Sequence, residues 1–257
     1  MISTQRRNKI KQLILTQGSV NTGELAELFN VTGETIRRDL NLLESEGYIK
    51  KNYGGAVAVE ELHRLFNSIP PVQQRKFSNS GDKARIAMAA AQMIKEDMCV
   101  YFDAGSTTSS LLRFIECEKL NVVTNSVDIA ADCAAKDNWN VVVVGGQLIK
   151  KSMCLIGSEA ESHICMLNID IAFIGSSGVS HHRSFTSSSE QEAKLKRTAI
   201  SRACRSVVMA DKSKFTRSYL YTFAVFNDID CFITSEGGVD DAFRLKAKEA
   251  GMELIIV

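Results

Sequence analysis

From residue 98 onward, short apolar runs alternate with stretches of mostly helical periodicity, and this alternation constrains the fold more than any other feature. The first run is Met98–Phe102. Six more follow, at 120–123, 141–144, 169–174, 207–209, 231–233 and 253–257. Continuously apolar strands spaced by helices are typical of a parallel sheet that is covered on both faces. We therefore predict an α/β fold class, with a doubly wound, mostly parallel sheet in residues 81–257.

Polar or glycine-rich loops follow four of the predicted strands. They are Asp103–Thr108, Thr124–Ser126, Gly145–Gln147 and Gly175–Gly178. Parallel sheets of this kind bind ligands outside the carboxyl ends of their strands, where loops lead into helix N-termini. The alternative for each loop is a tight turn that only caps its helix. Four such loops at one edge favour a binding site.

The first of these loops is the strongest candidate for an anion site. Gly105 allows close approach of the backbone, and the hydroxyl groups of Ser106, Thr107 and Thr108 can surround an anion together with the amides that open the next helix. A phosphate fits this chemistry. Asp103 would repel an anion, so we expect its carboxylate to bind another group, such as a sugar hydroxyl.

Residues 1–58 show three helical patterns. The third helix is predicted from Thr32, which can cap it, and it has apolar residues at helical spacing. These inward-facing residues are Ile36, Leu40 and Leu43. Thr35, Arg37 and Arg38 are left for solvent or for the major groove of DNA. That groove admits one helix, and guanidinium groups bind its guanine edges and the phosphates beside it. The alternative is that the two arginines only solvate the outer face of a three-helix bundle.

A hairpin pattern follows the third helix. Gly47 ends the helix, and residues 48–57 are predicted to form two strands that turn near Asn52–Gly55. Lys50 and Lys51 make this hairpin basic. A basic hairpin directly after a recognition helix is a wing, positioned to contact phosphate or the minor groove.

The distribution of charge supports a nucleic-acid partner only locally. The whole chain has 31 basic and 30 acidic residues, a balance that by itself argues against such a partner. Residues 1–58 carry eight basic and six acidic residues, and the basic ones fall into three clusters. Clustered charge is what a phosphate backbone senses.

Residues 59–80 are predicted to be a linker. Pro70 and Pro71, the two prolines of the chain, lie in this stretch, and proline lacks an amide donor and biases the preceding residue to extended conformations. Leu62, Leu65 and Phe66 have the spacing of a short helix, which we expect to pack on one domain or on a second subunit.

The N-terminal motifs resemble those of the DeoR family of bacterial transcription regulators. The similar strings are Thr35–Leu40, Leu43–Gly47 and Tyr53–Ala56. The resemblance implies that residues 1–58 form a winged helix-turn-helix. It also implies that Thr35, Arg37 and Arg38 contact DNA, whereas Asp39 orients an arginine or lies near the partner helix.

The resemblance extends over nearly the whole chain. Motifs similar to those of the DeoR effector domain are Asp103–Thr107, Thr124–Ser126, Gly145–Gly146, Glu192–Ala193 with Arg197, and Ala210–Phe215. That domain is similar to ribose-5-phosphate-type isomerases, and the family commonly senses phosphorylated sugars.

By position, the resemblance assigns a role to each of several residues. Ser106 and Thr107 would hold phosphate, Asp103 and Asn125 would bind sugar hydroxyls, and Lys212 would lie at the phosphate or ring side. We count Gly105, Thr108, Gly146 and Glu192 with the effector site. Ser177 and Ser184 depart from the family pattern, which often has an acidic or amide residue and a glycine there, so the identity of the effector stays open.

Other chemistries have weaker signals. The seven cysteines are odd in number and never form a CxxC pair, so we expect buried thiols rather than disulfides or zinc ligands. His181 and His182 are adjacent and lack an acidic partner at a fixed spacing, so we expect a solvated loop. No cofactor and no metal are predicted. Met1–Gln12 is polar and no apolar run reaches membrane-spanning length, so we expect a cytoplasmic, bacterial protein without membrane contact.

Three functions fit these observations. The first is a repressor whose DNA binding is controlled by a phosphorylated sugar. The second is a sugar-phosphate isomerase with a DNA-binding appendage, for which Asp103 and Glu192 are available carboxylates. The third is a constitutive DNA-binding protein whose large domain only forms a homo-oligomer. We favour the regulator, without catalysis, acting on a duplex operator as a dimer or higher oligomer.

Overall fold

Contacts within the chain divide it into two units, residues 1–69 and 70–257. The structure is a computed structural model, and it describes residues 3–17, 19–52, 54–59, 69–215 and 217–257.

In its described residues, the first unit combines three helices with a small antiparallel sheet. Its elements are α1 (Ser3–Gln17), β1 (Ser19–Asn21), α2 (Thr22–Phe29), α3 (Gly33–Ser45), β2 (Ile49–Asn52) and β3 (Gly55–Ala58). The strand order is β1-β3-β2, which confirms the predicted hairpin and adds one strand. That added strand has only three residues, too few to show the alternation by which a strand is predicted.

Local chemistry explains where α3 begins and which side faces inward. The hydroxyl of Thr32 accepts a hydrogen bond from the amide of Thr35 at 3.3 Å and so caps the helix. The three predicted inward residues are all buried, in a cluster that includes Ile10 and Ile14 of α1. After the helix, Gly47 adopts a φ of +79°, a conformation that glycine reaches without steric cost.

The second unit is built on a seven-stranded parallel sheet. Its strands are β4 (Cys99–Phe102), β5 (Leu120–Thr124), β6 (Trp139–Val143), β9 (Ile169–Gly175), β12 (Ala203–Ala210), β14 (Cys231–Thr234) and β15 (Glu253–Ile256). The order is β15-β14-β12-β9-β4-β5-β6, and every pairing is parallel. Each of the seven predicted apolar runs forms one of these strands, so the predicted fold class is confirmed.

Helices cover both faces of this sheet. They are α5 (Ser80–Ala91), α6 (Ser106–Leu111), α7 (Val127–Cys133), α8 (Ser158–Cys165), α9 (Glu190–Arg202) and α10 (Asp241–Glu249). Along β4, Val100 and Phe102 pack in the cluster that contains residues of α5, α6 and α7, while Tyr101 packs with α8, α9 and α10. The strand is therefore apolar on both sides, which is why its run is continuous rather than alternating.

Two smaller antiparallel arrangements extend the second unit. One is the hairpin of β7 (Gln147–Ile149) and β8 (Cys154–Ile156). The other is the sheet of β10 (Gly178–Ser180), β11 (Ser184–Ser187) and β13 (Tyr221–Ala224). Both lie beyond the carboxyl ends of parallel strands, because β7 follows β6 and β10 follows β9.

The predicted linker at 59–80 needs correction at its C-terminal end. Residues 72–77 form a helix, α4 (Val72–Phe77), and Val72 is buried with only 3% of its surface exposed. The two prolines precede this helix, where a missing amide donor costs nothing. The short helix predicted around Leu62, Leu65 and Phe66 lies outside the described residues. None of the helices described is both long and apolar enough to cross a bilayer.

Candidate functional site

The outer face of α3 presents two arginines to solvent. The side chains of Arg37 and Arg38 are 67% and 79% exposed. Their contacts are with Glu34, at 3.2 Å and 4.0 Å, and such exposed pairs are weak. The hydroxyl of Thr35 lies 2.9 Å from that of Thr32. Both arginines can therefore leave Glu34 for a stronger anion at little cost.

A buried ion pair fastens the opposite side of α3 to α1. Arg6 Nε lies 2.6 Å from Asp39 Oδ2, and the two side chains are 10% and 6% exposed. Asp39 therefore orients an arginine, as the resemblance implied. The partner is Arg6 of α1 rather than one of the neighbouring arginines on its own helix.

The two lysines of the wing differ in their surroundings. Lys50 is exposed on β2. Lys51 donates from Nζ to Asn41 Oδ1 at 2.6 Å and lies 3.3 Å from Glu44 Oε2. A hydrogen bond from the backbone amide of Lys51 is the main reason that the pKa of Glu44 is lowered. Lys51 thus ties the wing to α3, whereas Lys50 is available for a phosphate.

In the second unit, the chain reverses direction across the sheet at β4. From β4 it runs to β5 and β6, and it then returns to β9 on the other side of β4. Such a switch point leaves a crevice at the carboxyl ends of the two strands. Asp103, at the end of β4, is 2% exposed and accepts a hydrogen bond from the amide of Gly175, at the end of β9, at 3.0 Å.

Asp103 is also paired with a lysine that the sequence analysis did not single out. Lys196 of α9 forms an ion pair with Asp103 and donates to the carbonyl of Gly175 at 2.9 Å. Burial raises the pKa of Asp103, and the charge of Lys196 opposes this effect. A signal was present in the sequence, since Lys196 lies one helical turn after Glu192 and so shares its face.

Asn125 crosses from the loop after β5 toward the same place. Its Oδ1 accepts from the amide of Ala104 at 3.0 Å, and its Nδ2 donates to the Sγ of Cys154 at 3.0 Å. Close by, the buried hydroxyl of Tyr101 has no hydrogen-bond partner among the described residues. Burial, and then the charge of Asp103, raise the pKa of Tyr101.

Glu192 lies in the first turn of α9, where Ser189 caps the helix through the amide of Glu192. Ser152 donates to its Oε1 at 2.9 Å and Ser187 to its Oε2 at 3.5 Å. Burial is the main reason that the pKa values of Asp103 and Cys154 are raised, and the charge of Glu192 adds to this effect. The structure thus brings Asp103, Asn125 and Glu192 together around the switch point.

The glycine and hydroxyl residues of the first loop have unequal roles. Ser106 and Thr107 open α6 and are each 6% exposed. Thr108 is fully buried and its hydroxyl donates to the carbonyl of Gly105 at 3.0 Å. A Cβ on Gly105 would lie 2.8 Å from the Thr108 hydroxyl oxygen. The side chain of Thr108 therefore shapes the loop, while Ser106 and Thr107 are the first two residues of α6.

Gly146 and Lys212 have contacts away from Asp103. Gly146 has a φ of +114°, and a Cβ there would lie 2.3 Å from the carbonyl oxygen of Ile156, so close packing of β8 is sufficient to require glycine. Lys212 has a side chain that is 53% exposed and lies 3.6 Å from Asp82 of α5. Neither residue contacts the group formed by Asp103, Asn125 and Glu192 through any hydrogen bond of the described residues.

The remaining sequence signals lie outside this group. His181 lies in the turn between β10 and β11, and its Nδ1 is 3.8 Å from Oδ2 of Asp240. Ser184 has a φ of +54°, which explains why a glycine suits that position. Of the cysteines, Cys165 and Cys204 are exposed, contrary to the prediction of buried thiols. In the part of the chain that is described, no three metal-binding side chains converge.

Comparison with protein families divides the chain in the same way as its contacts do. Residues 6–62 match the DeoR-like helix-turn-helix domain, and residues 78–236 match the DeoR C terminal sensor domain.

Curated relatives match along almost the full chain. The HTH-type transcriptional regulator IolR of Bacillus subtilis (strain 168) is 31% identical over 95% of this chain and 95% of that protein. The putative aga operon transcriptional repressor of Escherichia coli O157:H7 is 30% identical over 99% and 94%. The glycerol-3-phosphate regulon repressor of Escherichia coli (strain K12) is 29% identical over 91% of each.

Among solved structures, ribose 5-phosphate isomerase A from Methanocaldococcus jannaschii aligns with a TM-score of 0.39 and 18% identity, over 53% of this chain and 55% of that chain. A score of that size says nothing about activity.

Proposed function

Since the chain belongs to the DeoR family of transcriptional regulators, we propose that it represses an operon for the catabolism of a sugar or sugar derivative, under the control of a phosphorylated sugar. Two relatives that match along most of their length are named as repressors, and the name of one refers to glycerol 3-phosphate. These names support both parts of the proposal, the repression and the phosphorylated effector.

For DNA binding, the proposal rests on the exposed arginines of α3. Arg37 and Arg38 point away from the core, while the apolar residues of the same helix are buried. Thr35 lies at the N-terminal end of the helix, from which a recognition helix contacts base edges. Lys50 of the wing would add a phosphate contact, and Lys51 would hold the wing in position against α3.

For effector binding, the single observation that carries the proposal is the group of polar side chains at the switch point. Asp103 and Asn125 are buried, yet both lie at the edge where parallel sheets bind ligands. Carboxylate and amide groups of this kind suit sugar hydroxyls, and Glu192 adds a third such group. The amides and hydroxyls of Ser106 and Thr107 would bind the phosphate at the start of α6.

The same contacts favour binding over catalysis. An isomerase needs a carboxylate that is free to remove a proton from carbon. Asp103 is instead held by Lys196 and Gly175, and Glu192 accepts hydrogen bonds from Ser152 and Ser187. We therefore propose a sensor that is not an enzyme.

The proposal includes self-association in the cytoplasm. A single winged helix makes few phosphate contacts, and specific binding generally needs two copies that read repeated half-sites. A homo-oligomer, at least a dimer, would supply them. Size-exclusion chromatography with light scattering on the full-length protein tests this part, and a monomer that binds an operator with high affinity would contradict it.

The central experiment has two steps. The full-length protein first selects operator duplexes from a random pool, and the selected duplex is then titrated in gel shifts with sugar phosphates and with the corresponding unphosphorylated sugars. We expect one phosphorylated compound to change operator affinity at least tenfold, because the effector must prefer one of the two states of the protein. The unphosphorylated sugar should have no effect at the same concentration.

Two outcomes would contradict the proposal in different ways. If operator binding is specific but no sugar phosphate changes it, the constitutive alternative holds and the second unit only assembles the oligomer. If incubation with pentose and hexose phosphates exchanges aldose and ketose isomers, as followed by NMR, the protein is an enzyme.

A further inference from the structure

Helix α4 is fixed at its N-terminal end to elements that follow β5 and β6. The amide of Val72 donates to the carbonyl of Lys151, in the turn of the β7–β8 hairpin, at 2.9 Å. Gln73 and Lys76 both bind Asp128 of α7, at 2.8 Å and 2.9 Å. This end of the helix therefore lies on the β5 side of the switch point.

The other end of α4 is fixed on the β12 side. Lys83 of α5 is 2% exposed and donates from Nζ to the backbone carbonyls of Arg75 and Ser78. Asn79 donates to Asp211 Oδ1, just after β12, at 3.0 Å. Since β9 and β4 lie between β12 and β5 in the sheet, the segment from Val72 to Asn79 crosses the carboxyl ends of the two strands that carry Gly175 and Asp103.

Arg75 lies in the middle of this crossing segment. Loss of hydration lowers its pKa, while the charges of Glu192 and Asp103 oppose that change. The Arg75 side chain is half-buried, and its charge interacts with the two carboxylates of the polar group at the switch point. Neither carboxylate binds Arg75 directly. The hydrogen bonds of Asp103 go to Lys196 and Gly175, and those of Glu192 go to Ser152 and Ser187.

The donors of Arg75 are only partly used. Its Nε donates to the carbonyl of Pro70 at 3.1 Å. Among the described residues, this is the one hydrogen bond made by the Arg75 side chain. A guanidinium group has five N–H donors, so both terminal nitrogens are available for a planar, two-point contact with an oxyanion. Phosphate is the oxyanion that this geometry binds well.

Building on the proposed function, we propose that Arg75 binds the phosphate of the effector and reports its presence to the segment that leads to the DNA-binding unit. Pro70 is the first residue of the second unit, and the same guanidinium group that would bind phosphate holds its carbonyl. Occupancy of the site would therefore change the position at which the chain leaves the sensor, through one side chain and without a relay of other elements.

Inorganic phosphate is the probe for the first test, because it requires no knowledge of the sugar. The full-length protein is unfolded thermally over a phosphate titration at constant ionic strength, with chloride as the balancing anion. We expect phosphate to stabilise the wild-type protein more than chloride does. Arg75→Gln should weaken the apparent phosphate affinity at least tenfold, and Arg75→Lys should weaken it less, since lysine keeps the charge but not the two-point geometry.

Gln74→Ala is the matched control, since this exposed neighbour on the same helix should respond to phosphate as the wild type does. A wild-type protein that does not respond to phosphate would overturn the proposal, as would an Arg75→Gln variant with the full response. If Arg75→Gln does not fold, Arg75→Lys decides, and a wild-type phosphate affinity in that variant would count against the two-point contact.

A second test separates this inference from the function on which it rests. In gel shifts with the selected operator, the readout is the ratio of operator affinities with and without the sugar phosphate, and Arg75→Gln should lose this response whatever its affinity in the absence of the compound. If the sugar phosphate acts equally on both proteins, the sensor function stands and the role of Arg75 falls. If phosphate binding depends on Arg75 but no sugar phosphate alters operator binding, the anion site stands and the sensor function falls.

Discussion

The two units of this protein use charged side chains in opposite ways. On α3 of the first unit, Arg37 and Arg38 are largely exposed and are held only loosely by Glu34. In the second unit, the side chains of Lys196 and Asp103 are 6% and 3% exposed and are fixed by each other. DNA approaches from solvent as an extended polyanion, and exposed charges that remain free to adjust would suit such a partner. A small ligand is enclosed, so its site benefits from side chains that are already fixed.

The first unit also contains a buried ion pair. Arg6 and Asp39 are buried behind α3, on the side away from the exposed arginines. Buried charge thus orients an element in both units, whereas the exposed arginines of α3 are the ones proposed to contact DNA. Three sets of substitutions and one pH titration test this distinction.

The largest effect is expected from Lys196→Met. Asp103 would remain buried without its partner, and removal of one member of a buried pair costs about 3–5 kcal/mol of stability. Urea denaturation measures this loss. Lys194→Met is the control on the same helix, because Lys194 forms an exposed pair with Glu190 at 3.1 Å and such pairs contribute about 0.3–0.5 kcal/mol. Equal losses of stability in the two variants would show that the buried pair contributes no more than the exposed one.

A smaller loss is expected from Asp39→Asn. The amide oxygen can still accept from Arg6, but the charge is lost, and hydrogen bonds to charged groups contribute about 1.5–3 kcal/mol. Because the pair positions α3, operator affinity should fall together with stability. Glu34→Gln, on the exposed side of the same helix, should leave stability unchanged. Full operator affinity in Asp39→Asn would mean that the pair does not position α3 for DNA binding.

Substitution of the exposed arginines should weaken DNA binding much more than it lowers stability. Arg37→Ala and Arg38→Ala should each weaken operator binding by about 1–3 kcal/mol, while the free energy of unfolding changes by less than about 0.5 kcal/mol, as is usual for surface positions. The oligomeric state should not change. Fluorescence anisotropy with the selected operator and urea denaturation measure the two quantities. A loss of folding in these variants would make the arginines structural.

The pH dependence of stability should report the buried cation Lys83. Burial lowers the pKa of Lys83 from 10.5 to about 8. Between these two values the unfolded chain binds more protons than the folded one, so the free energy of unfolding should rise as the pH increases from about 8 to 10.5. Lys83→Met should flatten this rise, and Lys95→Met, at an exposed position, should not. An identical slope in wild type and Lys83→Met would place the titration elsewhere.

Several parts of the fold could be predicted because their signals are local. The run Met98–Phe102 has neighbours on both faces, so it is apolar throughout, and the other six parallel strands are mostly apolar. The inward side of α3 follows from helical spacing. In contrast, β1 and the antiparallel strands β10, β11 and β13 have three or four residues each, which is too short to show a period.

The candidate site could be predicted only in part. Asp103 follows a predicted strand directly, and Ser106 and Asn125 lie in the loops after predicted strands, so their edge of the sheet is apparent from the sequence. Arg75 belongs to a stretch that the prolines led us to interpret as a linker, and its helix is held by contacts with distant elements. The assignment of Lys212 and Gly146 to the effector site stays a prediction, since their contacts in the structure are with other groups.

The sequence by itself determined the two units, the parallel sheet and the family, because apolar periodicity and motifs are written within short stretches of chain. Tertiary structure alone decided the order of the strands, and with it the switch point between β4 and β9. It also decided the partners of the charged residues. Asp103 meets Lys196 across 93 positions and Arg6 meets Asp39 across 33. The reason is that pairing over such separations depends on how the whole chain closes, and no local propensity encodes that closure.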